Sequence, residues 1–441
     1  YRTLGDWPLL ILCPASLRHT WPNEIEKFMP ALPPSSIYVV SGFDDADFYD
    51  NPQKRSKIQI VVATYSLLQT RSAAAKTLEQ FAFQSVICDE SHNLKQKNSQ
   101  RTKLAMPLLQ NAKRLVLLSG TPALARPVEL WTQLSTIAPD LFAKNYTDFT
   151  KRYCNARRGR FGWDVNGLSN AKELHDKLQH IMVRRLKADV LQELPPKQRS
   201  IIPISIVAGK GDHHKKAREC ESLLKDLRAT RQSLDTLAGD EANNANFEAR
   251  RMLMQAYQAS GVAKSSGVCD YLIEWLRGSG SQKVLVFGHH KEVLDAIEVA
   301  VSRECKGTGH VRIDGSVPSL ERAARVRKFQ TSSQVRVAIL SMTAAGVGLT
   351  LTAATTVMFA ELHWTPGVLA QAEDRCHRMG QRNAVNVLYL VCQDASKSVD
   401  PQLWNMLGRK IGTLLEVCSN SISFHSRPFD LPASIIVDPC R

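Results

Sequence analysis

The sequence predicts an α/β protein of two lobes, each a parallel sheet covered by helices. Two observations carry this. Short β-branched or apolar runs alternate with longer helical patterns, the mark of parallel sheets wrapped by helices. That alternation occurs twice, early and late, with a polar and strongly helix-forming stretch in between.

In the first series the strand candidates are Leu9–Cys13, Ile37–Val40, Ile58–Val62, Ser85–Cys88 and Leu115–Leu118. In the second they are Lys283–Phe287, His310–Ile313, Val335–Leu340, Thr356–Ala360 and Asn386–Val391. Residues 143–183 read as helices with a basic, glycine-bearing break at Arg157-Arg-Gly-Arg-Phe-Gly, and a strand-like run, Ser200–Val207, follows Leu194-Pro-Pro-Lys197. The stretch 212–257 is polar and helix-forming, with apolar positions at Leu223, Leu227, Leu234 and Leu237. The domain plan is therefore a first lobe over 1–140, a helical protrusion and linker over 141–195, and a linker strand with a second protrusion over 196–265. A second lobe over 266–420 and an irregular tail over 421–441, marked by Pro428, Pro432 and Pro439, complete it.

The bulk numbers narrow the class of partner. Hydrophobic residues make up 44% and charged residues 22% of the 441 positions, enough for sizeable cores. Fifty-seven basic against 42 acidic side chains leave a net charge of +15, which suggests a polyanionic partner such as nucleic acid, with simple solubility as the equal alternative on charge alone. The ten cysteines show no zinc spacing, and Cys13, Cys88 and Cys392 sit inside apolar runs as small core residues of a reducing compartment. No apolar run reaches the roughly 18 residues of a membrane span, so no membrane partner is expected. The opening residues lack the plan of a signal peptide, and without a starting methionine the chain reads as a fragment.

Asp89-Glu90-Ser91-His92 stands directly after the apolar run Ser85-Val86-Ile87-Cys88. Strands often end in an acidic turn, but a carboxylate pair at such a tip is also where a nucleotide-hydrolysing core orders magnesium and positions water. The chemical reading gains from Leu117-Leu118-Ser119-Gly120-Thr121-Pro122, which closes the next apolar strand. In that reading Asp89 orders the metal through water, Glu90 polarises the attacking water, and His92 relays the state of the γ-phosphate. Ser119 and Thr121 offer short hydroxyls that link the hydrolysis centre to the other lobe, with Gly120 allowing a tight turn.

The run from Gln371 to Gln381 is expected to be helical, with Gln371, Arg375, Arg378 and Arg382 on one face. Alone this is a solvated basic face. Beside the carboxylate pair, Arg375 and Arg378 become charge-stabilising fingers for phosphoryl transfer, a task suited to a permanently charged, bidentate guanidinium. Gly346 and Gly348, after the strand Val335–Leu340, form either a simple turn or a nest where backbone amides approach phosphates. Pro14 and Ser16, and Thr64 and Ser66, each follow a strand and either cap a helix or offer groups to nucleic-acid phosphates. Arg184 and Arg185 form a charged linker or reach the nucleotide cleft.

Taken in order, Pro14–Phe28, Ala63–Leu67, Asp89–His92, Ser119–Pro122, Arg184–Asp189, Lys283–His290, Ala344–Thr350 and Gln371–Gln381 resemble the motif series of the Swi/Snf-type, superfamily-two ATPases that translocate on double-stranded DNA. The resemblance spans roughly residues 7–418. Tyr153-Cys154, Trp163, Gly167, Asn170, Glu173-Leu174, Val183–Val190 and Phe359–Gly367 look closer still to its annealing-helicase branch, the HepA-related fork remodellers. The resemblance implies two RecA-like lobes with inserted helical protrusions, working with ATP and Mg2+ on double-stranded and forked DNA. It makes Gln371 a nucleotide contact with Gly346, Gly348 and Arg185, and places His289, Ser341, Thr343 and Thr350 on DNA beside Pro14, Ser16, Thr64 and Ser66.

One part of the pattern is absent. The family's Gly-x-x-x-x-Gly-Lys-Thr phosphate loop has no counterpart, since Gly209-Lys210 is preceded by Ile204 at the first glycine position and followed by Gly211. The family's spacing puts that loop just before Tyr1, and its missing strand leaves an exposed edge on the first sheet. The resemblance thus implies a nuclear ATP-dependent annealing helicase of forked DNA, reaching a single-strand-binding protein through regions outside this chain. A nucleosome-sliding remodeller and a non-hydrolysing DNA-binding protein are the alternatives.

Overall fold

The computed structural model describes residues 6–418, apart from 44, 46–49, 71, 121–125, 160–161, 186, 207–211, 235–236, 238 and 343–348, and it divides into two compact units, 1–183 and 184–441. Each unit is built on one parallel sheet.

In the first unit five strands run in the order β2-β3-β1-β4-β5. They are β1 (Leu9–Cys13), β2 (Ile37–Val39), β3 (Ile60–Thr64), β4 (Ser85–Asp89) and β5 (Arg114–Leu118). β1 is paired on both sides, with Cys13 against Thr64 and Leu12 against Cys88. Its unbroken apolar sequence follows from that position, because both faces of a central parallel strand are covered. Leu10, Leu12, Val61, Ala63, Val86 and Cys88 form one core, and Leu9, Ile11, Cys13, Ile60 and Val62 form the other on the opposite face. β5 closes one edge, and its side chains are only partly covered, Leu118 being 40% exposed.

The segment read as a basic break within helices is a small antiparallel hairpin, β6 (Arg157–Gly159) and β7 (Gly162–Asp164), set between the helices Tyr146–Tyr153 and Ala171–Ile181.

The second unit holds six parallel strands in the order β10-β11-β9-β12-β13-β8. These are β8 (Lys197–Pro203), β9 (Val284–Gly288), β10 (Gly309–Ile313), β11 (Val335–Ser341), β12 (Thr356–Phe359) and β13 (Val385–Val391). β8 begins and ends earlier than the run Ser200–Val207, since pairing with β13 extends through its polar start, Lys197 against Val385. The polar stretch forms two helices, Asp212–Ser233 and Gly239–Gly278. The second passes without a break through position 265, where the sequence suggests a domain boundary, and packs its later half on the sheet through Val268, Leu272 and Leu276. Cys13, Cys88 and Cys392 are buried free thiols, and burial pushes Cys13 and Cys88 up to about 12. Among the described residues no helix is long and apolar enough to cross a membrane. The tail over 421–441 and Gly209-Lys210 lie outside the described residues.

Candidate functional site

The strand order of the first unit lines up the predicted groups along one edge of its sheet. At the carboxyl ends of β3, β1, β4 and β5, in that spatial order, stand Thr64 and Ser66, Pro14 and Ser16, Asp89 and Glu90, and Ser119 and Gly120. The carboxyl edge of an open parallel sheet is where such folds bind their ligands.

Asp89 ends β4 with its carboxylate held by the indole of Trp21, whose Nε1 donates to Oδ2 at 3.0 Å. Its carbonyl accepts from the Tyr65 hydroxyl at 2.8 Å. Burial raises the Asp89 pKa above the usual carboxylate range, the Trp21 hydrogen bond pulls it back, and the neighbouring Glu90 charge pushes it up again. Glu90 occupies the left-handed region at φ 52°, ψ 52°, a conformation that costs a side-chain-bearing residue on the order of 1–2 kcal/mol. Such strain collects where a side chain must point in one direction. Glu90 Oε2 is buried and accepts no hydrogen bond; His92 Nδ1 approaches it at 3.2 Å without hydrogen-bonding geometry. The same Nδ1 lies 3.2 Å from Ser119 Oγ, which joins the β4 tip to the β5 tip. Ser91 donates to Gln133 at 2.7 Å and is itself buried, so the turn is fixed from beneath.

These oxygens fit a hydrated magnesium ion. Two adjacent carboxylates, one with an orphaned buried oxygen, suit a hard cation that keeps several waters and takes its other ligands from phosphate. Among the described residues no group of three His, Cys, Asp or Glu side chains forms a closed metal cage, which such a cation does not require.

The DNA-facing assignments on this edge divide. Ser16 and Ser66 are partly exposed, while Thr64 is buried with its hydroxyl 2.7 Å from Ser66 Oγ. Thr64 therefore stands behind Ser66, in hydrogen-bond contact with its hydroxyl. Gly120 has open space around the position of a Cβ. Thr121 lies outside the described residues, as do Thr343, Gly346 and Gly348 in the second unit.

In the second unit the ends of β11, β9 and β12 bring Ser341, His289 and Glu361 side by side. Glu361, which the sequence did not single out, organises this edge. Its Oε2 accepts from the backbone amides of His289 (2.7 Å) and His290 (2.9 Å), and its Oε1 lies 2.6 Å from His290 Nδ1. Burial pushes its carboxyl up, but the His290 contacts win and hold it below the usual range. Burial and the His290 charge lower the His289 pKa, which keeps that imidazole neutral. Ser341 is buried, and Thr350 lies in the loop ahead of β12.

The expected helix from Gln371 to Gln381 is corrected. The helix is Pro366–Glu373, and residues 374–380 form turns that include Gly380 at φ 96°. The cause is tertiary. Glu373, 1% exposed, accepts from Lys197 Nζ (2.7 Å), from Arg199 Nε and Nη2 (2.9 and 2.7 Å) and from the Tyr389 hydroxyl (2.7 Å). Gln381 then sends its amide to the carbonyls of Thr352, Ala354 and Cys376. Arg375 and Arg378 accordingly sit on successive turns and do not share a helical face with Gln371 and Arg382. The Arg375 carbonyl accepts from the Leu349-proximal Leu351 amide at 2.9 Å, and Arg378 Nη1 lies 3.5 Å from the Leu349 carbonyl. Arg185 is exposed in the segment leading to Lys187, and Lys187 ties that segment to Asp374 (2.8 Å) and to the His377 carbonyl (3.1 Å).

Comparison with known proteins gives the family. Residues 2–258 match the SNF2-related domain, and residues 266–380 match the helicase conserved C-terminal domain. The chain belongs to the SNF2-related family. That places the chain in a family of DNA-dependent ATPases and helicases. It is 41% identical over 410 residues to the DNA annealing helicase and endonuclease ZRANB3 of Bos taurus, covering 92% of this chain and 36% of that protein. Against the SWI/SNF-related matrix-associated actin-dependent regulator of chromatin subfamily A-like protein 1 of Xenopus tropicalis it is 41% identical over 414 residues, covering 93% of this chain and 40% of the relative. The chain thus spans well under half the length of these relatives. A solved SWI2/SNF2 ATPase core of Sulfolobus solfataricus in complex with dsDNA aligns over 96% of this chain and 88% of its own, at 19% identity and a TM-score of 0.37.

Trp21, Tyr65, Gln133 and Glu361 are the site residues that sequence reasoning missed. Trp21, Tyr65 and Glu361 lie within stretches that carry the family resemblance, but nothing local marks any of them as a contact of the site.

Proposed function

We propose that this chain is the motor region of an ATP-dependent DNA translocase that rewinds unpaired strands and remodels forked DNA in the nucleus. One observation carries the reading: the half-buried carboxylate pair Asp89–Glu90 at the tip of β4, with Glu90 in the left-handed region and its Oε2 accepting no hydrogen bond, flanked along one sheet edge by the hydroxyls of Ser66 and Ser119. The printed name of a relative as a DNA annealing helicase supports the choice of activity.

Magnesium, when bound with ATP, supplies charge neutralisation for the phosphates. The chain's own residues do the rest. Asp89, whose carboxylate accepts the Trp21 N–H, would orient the metal's waters. Glu90, aimed by its left-handed backbone, takes the direction of the attacking water. His92, between Glu90 and Ser119, senses that state and carries it to the β5 tip. Arg375 and Arg378 supply permanent positive charge for the transferring phosphoryl group, with Gln371 and Arg185 as nucleotide contacts. Ser16, Ser66 and the His289 turn meet the DNA backbone. A single-strand-binding protein is reached through regions outside this chain.

The test is a pair of reactions with the full-length protein and ATP: a DNA bubble coated with single-strand-binding protein, and a mononucleosome. Rewinding of the bubble is expected. Efficient sliding without rewinding makes the protein a nucleosome remodeller instead.

A further inference from the structure

The hairpin of β6 and β7 is the most exposed regular element of the first unit, and nothing in the hydrolysis site uses it. All six of its strand residues are exposed. A two-stranded ribbon of this length is not stable alone, so its base must hold it. Tyr153 and Cys154, just before β6, are fully buried. Ser169, after β7, donates its amide to the Tyr153 carbonyl (3.0 Å) and its hydroxyl to the Arg152 carbonyl (2.7 Å), while its Oγ accepts from the Asn155 amide (3.0 Å). The arms meet at Gly167, where a Cβ would lie 3.0 Å from the Asn155 Cβ and 3.1 Å from the Cys154 carbonyl. The ribbon therefore projects from a rigid base.

Its two faces differ. Antiparallel partners share a face, so Arg157 with Asp164 and Gly159 with Gly162 form one, small and charge-balanced. Arg158 with Trp163 forms the other. Trp163 is 60% exposed, and the Lys151 ammonium lies 5.9 Å from its ring. That face presents one large aromatic plane between cations, on a chain of net charge +15. Cations meet phosphates, and an indole face stacks on a nucleobase. A base offers its face only where it is unpaired or the duplex ends, since stacked pairs inside a duplex expose edges and phosphates alone.

We propose that the Arg158–Trp163 face of this hairpin binds unpaired nucleotides where a DNA duplex opens. The proposal rests on the DNA-binding reading above and adds a contact that reads DNA structure.

The test uses the full chain with fluorescently labelled DNA, read by anisotropy. One probe is a fork with two unpaired arms. The other is a dumbbell of the same paired sequence, closed at both ends so that no base face is free. Trp163→Ala is expected to weaken fork binding about ten-fold, the order of one stacked base, and to leave the dumbbell within about two-fold. Trp163→Leu should behave like alanine, and Trp163→Phe should keep most of the fork affinity, which separates stacking from bulk. Equal losses on both probes, or no loss on the fork, overturn the proposal while the DNA reading stands. Failure of the unaltered chain to bind either probe overturns that reading and the hairpin contact with it.

Discussion

Trp21 Nε1 donates a 3.0 Å hydrogen bond to Asp89 Oδ2, and so ties the helix after β1 to the acidic tip of β4. The bond acts on the carboxyl group's proton. Burial raises the Asp89 pKa, and the indole N–H opposes that rise by favouring the charged form. Trp21→Phe removes the donor and keeps most of the ring. The Asp89 pKa then moves further up, and the acid limb of the hydrolysis profile shifts to higher pH. Turnover near neutrality should fall about ten-fold, as for one lost hydrogen bond to a charged group. The measurement is a pH–rate profile of DNA-stimulated hydrolysis by the full-length protein. An unmoved acid limb removes Trp21 from this role.

Glu90 gives a prediction that separates chemistry from stability. Glu90→Gln keeps the shape but cannot polarise water, so DNA binding should persist while turnover drops below detection. Glu90→Gly should leave stability within about 1 kcal/mol, because relief of the left-handed backbone offsets the added freedom of glycine in the unfolded chain. Glu90→Val, β-branched at a positive φ, should destabilise by about 1–2 kcal/mol relative to Gly. Thermal unfolding of the three variants, beside nucleotide turnover, decides the matter. Gln turning over at the parent rate would acquit Glu90 of any part in the chemistry.

How much of this was legible beforehand depended on how local the cause was. β1 over Leu9–Cys13 matches its apolar run to the residue, because a doubly covered strand writes its burial into consecutive positions. The Asp89-Glu90 pair was legible for the same reason, as the polar end of such a run. Lys197-Gln198-Arg199 gave no strand signal, since their strand pairing comes from β13 and the partial burial of Lys197 and Arg199 from Glu373, far along the chain. The helix expected through Gln381 failed likewise: Glu373 and Gln381 are held by partners from β8, β13 and the loop before β12. The left-handed turn at Glu90 had no signal, because glycine or asparagine usually marks that conformation.

The Glu373 cluster predicts acid sensitivity of the second unit. Burial raises this carboxyl, but Lys197 and Arg199 prevail and hold it at about 2, against an ordinary value of 4.5. A depressed carboxylate stabilises the fold in full above pH 4.5, and that contribution fades as pH falls toward 2. Glu373→Gln should flatten the stability profile across that window. At neutral pH it should cost about 3–5 kcal/mol, because half-buried Arg199 loses its bidentate partner and Lys197 keeps only Asp374, at 3.5 Å. Denaturant unfolding at pH 7 and at pH 3 measures both effects. A loss of equal size at the two values would mean that packing dominates and charge does not.

Arg378 yields the sharpest division between structure and chemistry. The turn that carries it is already held by Gln381, which donates to the carbonyls of Thr352 (3.0 Å), Ala354 (2.9 Å) and Cys376 (3.2 Å), and by the Cys376 thiol on Ala354. The contact of Arg378 itself to the Leu349 carbonyl is long, at 3.5 Å, and adds little to that framework. Arg378→Ala should therefore change the unfolding free energy by no more than about 0.5 kcal/mol, the ordinary range for a substitution away from such a network. If its guanidinium stabilises the transferring phosphoryl group, hydrolysis should fall on the order of 10³-fold. DNA affinity should stay within about two-fold and keep its decline with added salt, because other cationic side chains displace the counterions from the DNA phosphates. Arg378→Lys should recover little of the rate, since a point charge cannot replace a planar fork. Equal losses in hydrolysis and DNA affinity would place this arginine on the DNA backbone, and a large loss of stability would make it part of the turn's own scaffold.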